Sequence, residues 1–214
     1  MTETSDATTT TSLHIVRHAA AAVDPSRYAD HRLMGLSADG VRHARHAARN
    51  LHRLTDLDRI VSSPLPRALE TARPLGDVFG IDVEVDDRLS ERTFPDLYGW
   101  LYDDVTRNHG ADVTQRLLSN SDQLDGWGAR PLDECQTRVV DLVKELAQGT
   151  TRNVVLVTHG GPHGWLLAHL LHLGVPDGPR LFHFRHVGYT YVALDPTARL
   201  QVIHAVNQPL VDSP

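Results

Sequence analysis

Two apolar, β-branched stretches that each end in a histidine constrain this chain more than any other feature. The first is Leu13-His14-Ile15-Val16-Arg17-His18, and the second, far along the chain, is Val154-Val155-Leu156-Val157-Thr158-His159-Gly160-Gly161. Near-continuous Val, Ile and Leu of this length predict strands buried on both faces, as in a parallel sheet. In open α/β sheets ligands bind beyond the carboxyl ends of the strands, so the two strand-end histidines are expected to converge on one small molecule. Two imidazoles with Arg17 beside them suit phosphate chemistry.

The sequence between them alternates helix and strand signals. Ser37 is a good N-cap and Asp39 favours the positive end of a dipole, so a helix is predicted from 38 to about 54, with Val41, Ala44, Ala48 and Leu51 at helical spacing. A strand is predicted over 59–62. Ser63-Pro64 reads as a cap followed by a first-turn proline for a helix from about 65 to 79, which Gly80 ends. Residues 82–85 alternate as a short, edge-like strand. From Glu91 to Pro131 the sequence turns aromatic, Gly- and Asp-rich, with helical pieces around 102–109 and 113–118, and is expected to cover the strand ends. Pro131 opens a helix to about 147, stopped by Gly149. The second histidine strand then leads to a helix from about 162 to 173, with strands near 181–184, 189–194 and 200–206.

The implied fold is α/β: a three-layer α/β/α sandwich with a mostly parallel central sheet, an antiparallel edge strand and a helical, aromatic insertion over the strand ends. Residues 1–12 read as a disordered N-terminal tail, 13–214 as a single domain, and about 92–130 as its insertion.

Composition narrows the function. With 214 residues and 41% hydrophobic content the chain can bury a full core. A formal net charge of −6 argues against a broad nucleic-acid footprint, which needs a basic face, so a small-molecule partner is expected. Cys135 is the only cysteine, which excludes an intrachain disulfide or a cysteine-based zinc site and fits a reducing cytoplasm. The Thr-rich start lacks the basic and apolar regions of a signal peptide, and no stretch reaches bilayer-spanning length. His43 and His46 share a helix face, but no carboxylate or cysteine completes a metal site there, so neither metal nor cofactor is expected. An exposed edge strand offers a route to a homodimer.

Several motifs, in order, resemble the histidine phosphatase superfamily, also called phosphoglycerate mutase-like. They are Val16-Arg17-His18, Leu36-Ser37-Ala38-Asp39-Gly40, Ser62-Ser63-Pro64-Leu65-Pro66-Arg67-Ala68-Leu69-Glu70-Thr71-Ala72, Leu89-Ser90-Glu91-Arg92 and Val157-Thr158-His159-Gly160-Gly161. Taken singly, His18 and His159 could be strand-terminal polar residues, Arg67 a solvated helix arginine and Glu91 a loop acid; the ordered set favours a shared chemical role. The resemblance implies that His18 is the nucleophile, Glu91 the proton donor and His159 a donor to the phosphoryl oxygens. Arg17, Arg67, His159 and Gly160 would hold phosphate, since guanidinium forks and helix-start N–H groups match its oxygens. The implied reaction is metal-independent hydrolysis of a small phosphomonoester through a phosphohistidine. A phosphoglycerate mutase-type phosphotransfer mutase and a catalytically weakened phosphate-binding protein are the alternatives.

The chain also departs from the family pattern. Ala19 replaces a usual glycine, which adds steric cost unless the backbone there is ordinary. Asp24, if it takes a position usually held by Asn, sets a carboxylate near the phosphate unless it turns away, is protonated or meets a cationic part of the substrate. Tyr98, Trp100, Tyr102 and Trp127 make the insertion aromatic and suit either a wall against the substrate or a small packed cluster. His163, four residues after His159, and His186 are further expected to line the pocket. Together with Asp24 and Tyr98 they are the candidate specificity residues.

Overall fold

The computed structural model of the chain describes residues 10–118, 124, 126–173 and 182–211. Within them run β1 (Thr11–Arg17), α1 (Ala38–Leu54), β2 (Arg59–Ser62), α2 (Pro66–Phe79), β3 (Val83–Val85), α3 (Tyr102–His109), α4 (Ala111–Leu118), α5 (Leu132–Gln148), β4 (Asn153–Thr158), α6 (Gly160–Leu170), β5 (Gly188–Leu194) and β6 (Leu200–Pro209). The strands form one sheet in the order β3-β2-β4-β1-β5-β6. β1 and β4, the two histidine strands, are adjacent and parallel, with Arg17 opposite Thr158. Their carboxyl ends therefore lie side by side, and so do His18 and His159.

Strand alternation divides the core into two layers. Leu13, Ile15, Val61, Val154 and Leu156 point to the side covered by α5 and α6, whereas Val16, Ile60, Val155 and Val157 meet Ala44, Ala48, Leu51, Ala68 and Leu75 of α1 and α2. Removing these apolar faces from water drives the sandwich together. Ser37 caps α1 as expected, its Oγ accepting the Gly40 N–H at 3.0 Å. Gly80 closes α2 in the left-handed conformation, at φ 68°. A third, separate cluster of Tyr28, Phe94, Leu97, Val105, Leu117 and Leu124 gives the insertion its own small core.

Several expectations are corrected. Thr11 and Ser12 belong to β1, with Thr11 buried, so the ordered chain starts before residue 13; residues 1–9 of the expected tail lie outside the described residues. Pro66, not Pro64, occupies the first turn of α2, which begins after Leu65, and α6 opens at Gly160 instead of about 162 and ends at Leu170. Residues 182–184 form no strand, and Leu181 lies outside the described residues. The reversed strand is β5, second from the edge, because the chain reaches it from the carboxyl ends of the parallel strands. A hairpin then turns the edge strand β6 back into the parallel direction. Among the described residues no helix is long and apolar enough to cross a membrane.

Candidate active site

A cavity of about 240 Å³ opens at the carboxyl ends of β1 and β4. Arg17 and His18, Arg67, Glu91 and Gly160 reach it from four separate segments. His159 sits beside it, its ring centroid 5.0 Å from that of His18. The structure thus gathers the residues that the sequence assigned to one phosphate site, although Arg67 and Glu91 lie far along the chain from both histidine strands.

His18 is held in a defined state. Its Nδ1 lies 2.7 Å from the Ala19 carbonyl, which can only accept, so Nδ1 carries the hydrogen. The opposite nitrogen, Nε2, accepts from Arg67 Nε at 3.2 Å. Both partners therefore specify a neutral imidazole with its lone pair on Nε2. Burial, and after it the nearby Arg67 and Arg17 guanidiniums, push the His18 pKa well below its ordinary value, in agreement with that state. Burial does the same to His159, seconded by Arg67 and His18, so the free pocket holds both imidazoles uncharged.

The arginines are anchored from behind. Arg67 donates through Nη1 to the His31 carbonyl at 3.2 Å, and burial lowers its pKa to about 10, against which Glu91 acts. Arg17 donates through Nη1 to the Phe184 carbonyl. Thr71 links α2 to the first loop, accepting from the Ala19 N–H at 3.0 Å and donating to the Arg67 carbonyl at 2.7 Å. Ala19 itself lies outside the positive-φ region, so its methyl carries no backbone strain.

Glu91 is fixed by its backbone surroundings. Its Oε2 accepts the Gly161 N–H at 3.1 Å and its Oε1 the Arg92 N–H at 2.9 Å. The segment before it is tied down by Arg138 of α5, which donates to the Asp87 and Ser90 carbonyls, and by Thr158 Oγ1, which donates to the Leu89 carbonyl at 2.8 Å. Gly161 is glycine because Glu91 occupies the space of a side chain: a Cβ there would stand 2.2 Å from Glu91 Oε1 and 2.8 Å from Trp165. Gly161→Ala is accordingly expected to displace the carboxylate and lower kcat by at least about tenfold. Wild-type turnover in a folded Gly161→Ala protein would show that the placement of Glu91 is unimportant.

The four candidate specificity residues fare differently. His186 lines the cavity, its ring 5.5 Å from that of His18, and burial lowers its pKa to about 4, seconded by Arg17. Asp24 turns away: it is exposed, accepts from the Ser26 N–H and Oγ, and pairs with Arg27 at 3.0 Å, so it sets no charge against the phosphate site. Tyr98 stacks on Tyr28 at 6.0 Å under the Arg32 guanidinium, and it does not itself line the cavity. His163 is fully buried behind the cavity wall, stacked on Phe184 at 3.6 Å. The helix turn that follows His159 carries His163 inward instead of to the rim.

Other contributors were not legible in advance. His31 and Met34, from the irregular loop after β1, line the cavity, as do Arg92 and Arg116. Ser63, expected only as a helix cap, bonds His159 Nε2 at 2.8 Å and orients that ring. Its position directly after β2, beside the two histidine strands, was the one signal available.

The chain matches the profile of the histidine phosphatase superfamily (branch 1) over residues 13–208. It belongs to that superfamily. A glucosyl-3-phosphoglycerate phosphatase of Mycolicibacterium vanbaalenii is 38% identical over 57% of this chain and 57% of that protein. A Hydrogenobacter thermophilus protein provisionally named phosphoserine phosphatase 2 is 27% identical over 86% of this chain and 89% of its own length. The solved structure of a mycobacterial glucosyl-3-phosphoglycerate phosphatase superposes with a TM-score of 0.78 at 29% identity, covering 92% of this chain and 99% of that one. The protein is thus an enzyme, a phosphoric monoester hydrolase of the histidine phosphatase type.

Proposed function

We propose that this histidine phosphatase hydrolyses a small phosphomonoester through a phosphohistidine formed on His18. The observation that carries this reading is the state of His18: Nδ1–H bound to a carbonyl and a lone pair on Nε2, facing two arginines. The Nε2 lone pair attacks phosphorus while Arg17, Arg67, His159 and the Gly160 N–H hold the non-bridging oxygens. The bond to the leaving oxygen breaks, and Glu91, entering as the carboxylic acid, gives that oxygen its proton. The resulting carboxylate then takes a proton from water as the water oxygen attacks phosphorus. The N–P bond breaks, its electron pair returns to Nε2, and orthophosphate leaves.

The relatives support a substrate class. Phosphoserine and glucosyl-3-phosphoglycerate, named for two of them, both carry a carboxylate near the ester, and here Arg92 and Arg116 line the cavity in addition to Arg17 and Arg67. We therefore favour a phosphorylated small acid, with His186 contacting it beside His18. The single, buried Cys135 supports a reducing, cytoplasmic setting.

The test is covalent trapping. Enzyme mixed with a ³²P-labelled phosphomonoester and quenched into alkaline denaturant, where phosphohistidine persists, is expected to carry label that maps to His18 and is absent from His18→Ala. A release screen should rank phosphorylated acids above neutral sugar phosphates. Absence of labelled protein across both sets overturns the mechanism, and isomerised ester without free phosphate overturns hydrolysis.

A further inference from the structure

Asn207 lies on β6, outside the cavity, yet its side chain brackets one of the site's anchors. Its Oδ1 accepts the Arg185 N–H at 3.0 Å, and its Nδ2 donates to the His183 carbonyl at 2.7 Å. Between these two residues stands Phe184, whose carbonyl accepts from Arg17 Nη1. The same short segment returns to β1 through the Val187 N–H, which donates to the Arg17 carbonyl at 3.0 Å, and it delivers His186 to the cavity.

The backbone is shaped for this contact. β6 carries an irregularity here: Tyr189 pairs with Gln208 and Tyr191 with Ala205, so two residues of β6 stand opposite Thr190 alone. Asn207 sits in that irregularity at φ 51°, a conformation asparagine tolerates better than most residues, and its N–H donates to Thr190 Oγ1 at 3.2 Å. At the start of β5, a Cβ on Gly188 would come within 2.4 Å of Asn207 Oδ1 and 2.8 Å of the Arg185 carbonyl. The extra residue and the glycine together leave room for one amide to reach the loop.

We infer that Asn207 is a positioning residue of the active site, clipping the 183–185 loop so that the Phe184 carbonyl aims the Arg17 guanidinium at the phosphoryl group. This rests on the phosphate-binding role proposed for Arg17. An unclipped loop leaves the Phe184 carbonyl free to swing, and Arg17 loses the acceptor that fixes its fork.

The test is a double-mutant cycle read by the affinity for inorganic phosphate as a competitive inhibitor. Asn207→Gly accepts the left-handed backbone and removes only the amide. It is expected to weaken phosphate about tenfold and to lower kcat/KM in parallel, with the protein folded by circular dichroism. In an Arg17→Ala background the same substitution is expected to change phosphate affinity less than about twofold, because the group it positions is gone. Asn207→Asp, which keeps the acceptor and loses the donor, should fall between wild type and Asn207→Gly, and it replaces the glycine variant in the cycle if that one does not fold. Full additivity with Arg17→Ala, or wild-type phosphate affinity in Asn207→Gly, overturns the clip alone. Wild-type phosphate affinity in Arg17→Ala overturns the phosphate site and the clip with it.

Discussion

Replacing Glu91 with glutamine is expected to slow hydrolysis of an alkyl phosphomonoester by about 10²- to 10⁴-fold, the usual contribution of a placed proton donor. An aryl phosphate should lose roughly tenfold or less, since its phenolate leaves with little protonation. The two substrates separate two effects of the substitution. Both Glu91 oxygens accept backbone N–H groups, from Gly161 and Arg92, so a glutamine must set its NH₂ against one of them and shift. That displacement slows both substrates alike, whereas the missing proton slows only the alkyl ester. Steady-state kcat/KM on a matched alkyl and aryl pair measures the difference. Equal losses on the two would remove Glu91 from proton transfer and leave it a purely structural acceptor.

Acid is expected to weaken the fold well before the carboxylates titrate. His14, His18, His159 and His163 are each at most 6% exposed, and burial is the main cause lowering all four pKa values, to about 4 for His14 and about 3 for His163. In the unfolded chain each binds a proton near pH 6.5. Between that pH and the folded values the unfolded state holds more protons, so stability is full above about 6.5 and falls as pH drops toward 4. Each such histidine contributes about 1.4 kcal/mol per pH unit within the window. Four give on the order of 5 kcal/mol per unit, comparable with the whole stability of a typical domain. Urea unfolding from pH 7 to 5 should show this slope. Phosphate should oppose it, because it binds only the folded site. His163→Phe keeps the stack on Phe184 and removes two ring nitrogens that have no hydrogen-bond partner among the described residues. It should flatten the slope by about one histidine's share. Stability independent of pH from 7 to 5 would falsify the picture of neutral, buried imidazoles.

The legible parts of this protein are those written in local chemistry. Ser37, Gly80 and the β-branched runs around Ile15 and Leu156 act through neighbours a few residues away, and their elements stand where predicted. The convergence of the two histidines was legible because strand ends in a parallel sheet share one rim, so His18 and His159 needed no further information to meet, whereas Glu91 entered the candidate set only through the family resemblance. Position in space decided the rest. Phe182 and Phe184 suit a strand, but the Phe184 carbonyl is engaged by Arg17, and the segment lines the cavity instead of pairing. Asp24 looked like a charge beside phosphate, yet Ser26 and Arg27, its own near neighbours, already satisfy it. Nothing local marks His31 as an anchor for Arg67, since its part in the site is played by a backbone carbonyl that any residue would supply.

The cluster of Tyr28, Phe94, Leu97, Val105, Leu117 and Leu124 packs apart from both faces of the sheet. Phe94, Leu117 and Tyr28 also look into the cavity, so this wall of it is supported by a reservoir of packing of its own. Lineages and designed libraries alike can therefore reshape that wall and diversify substrate choice while the strands that aim His18 and His159 stay untouched.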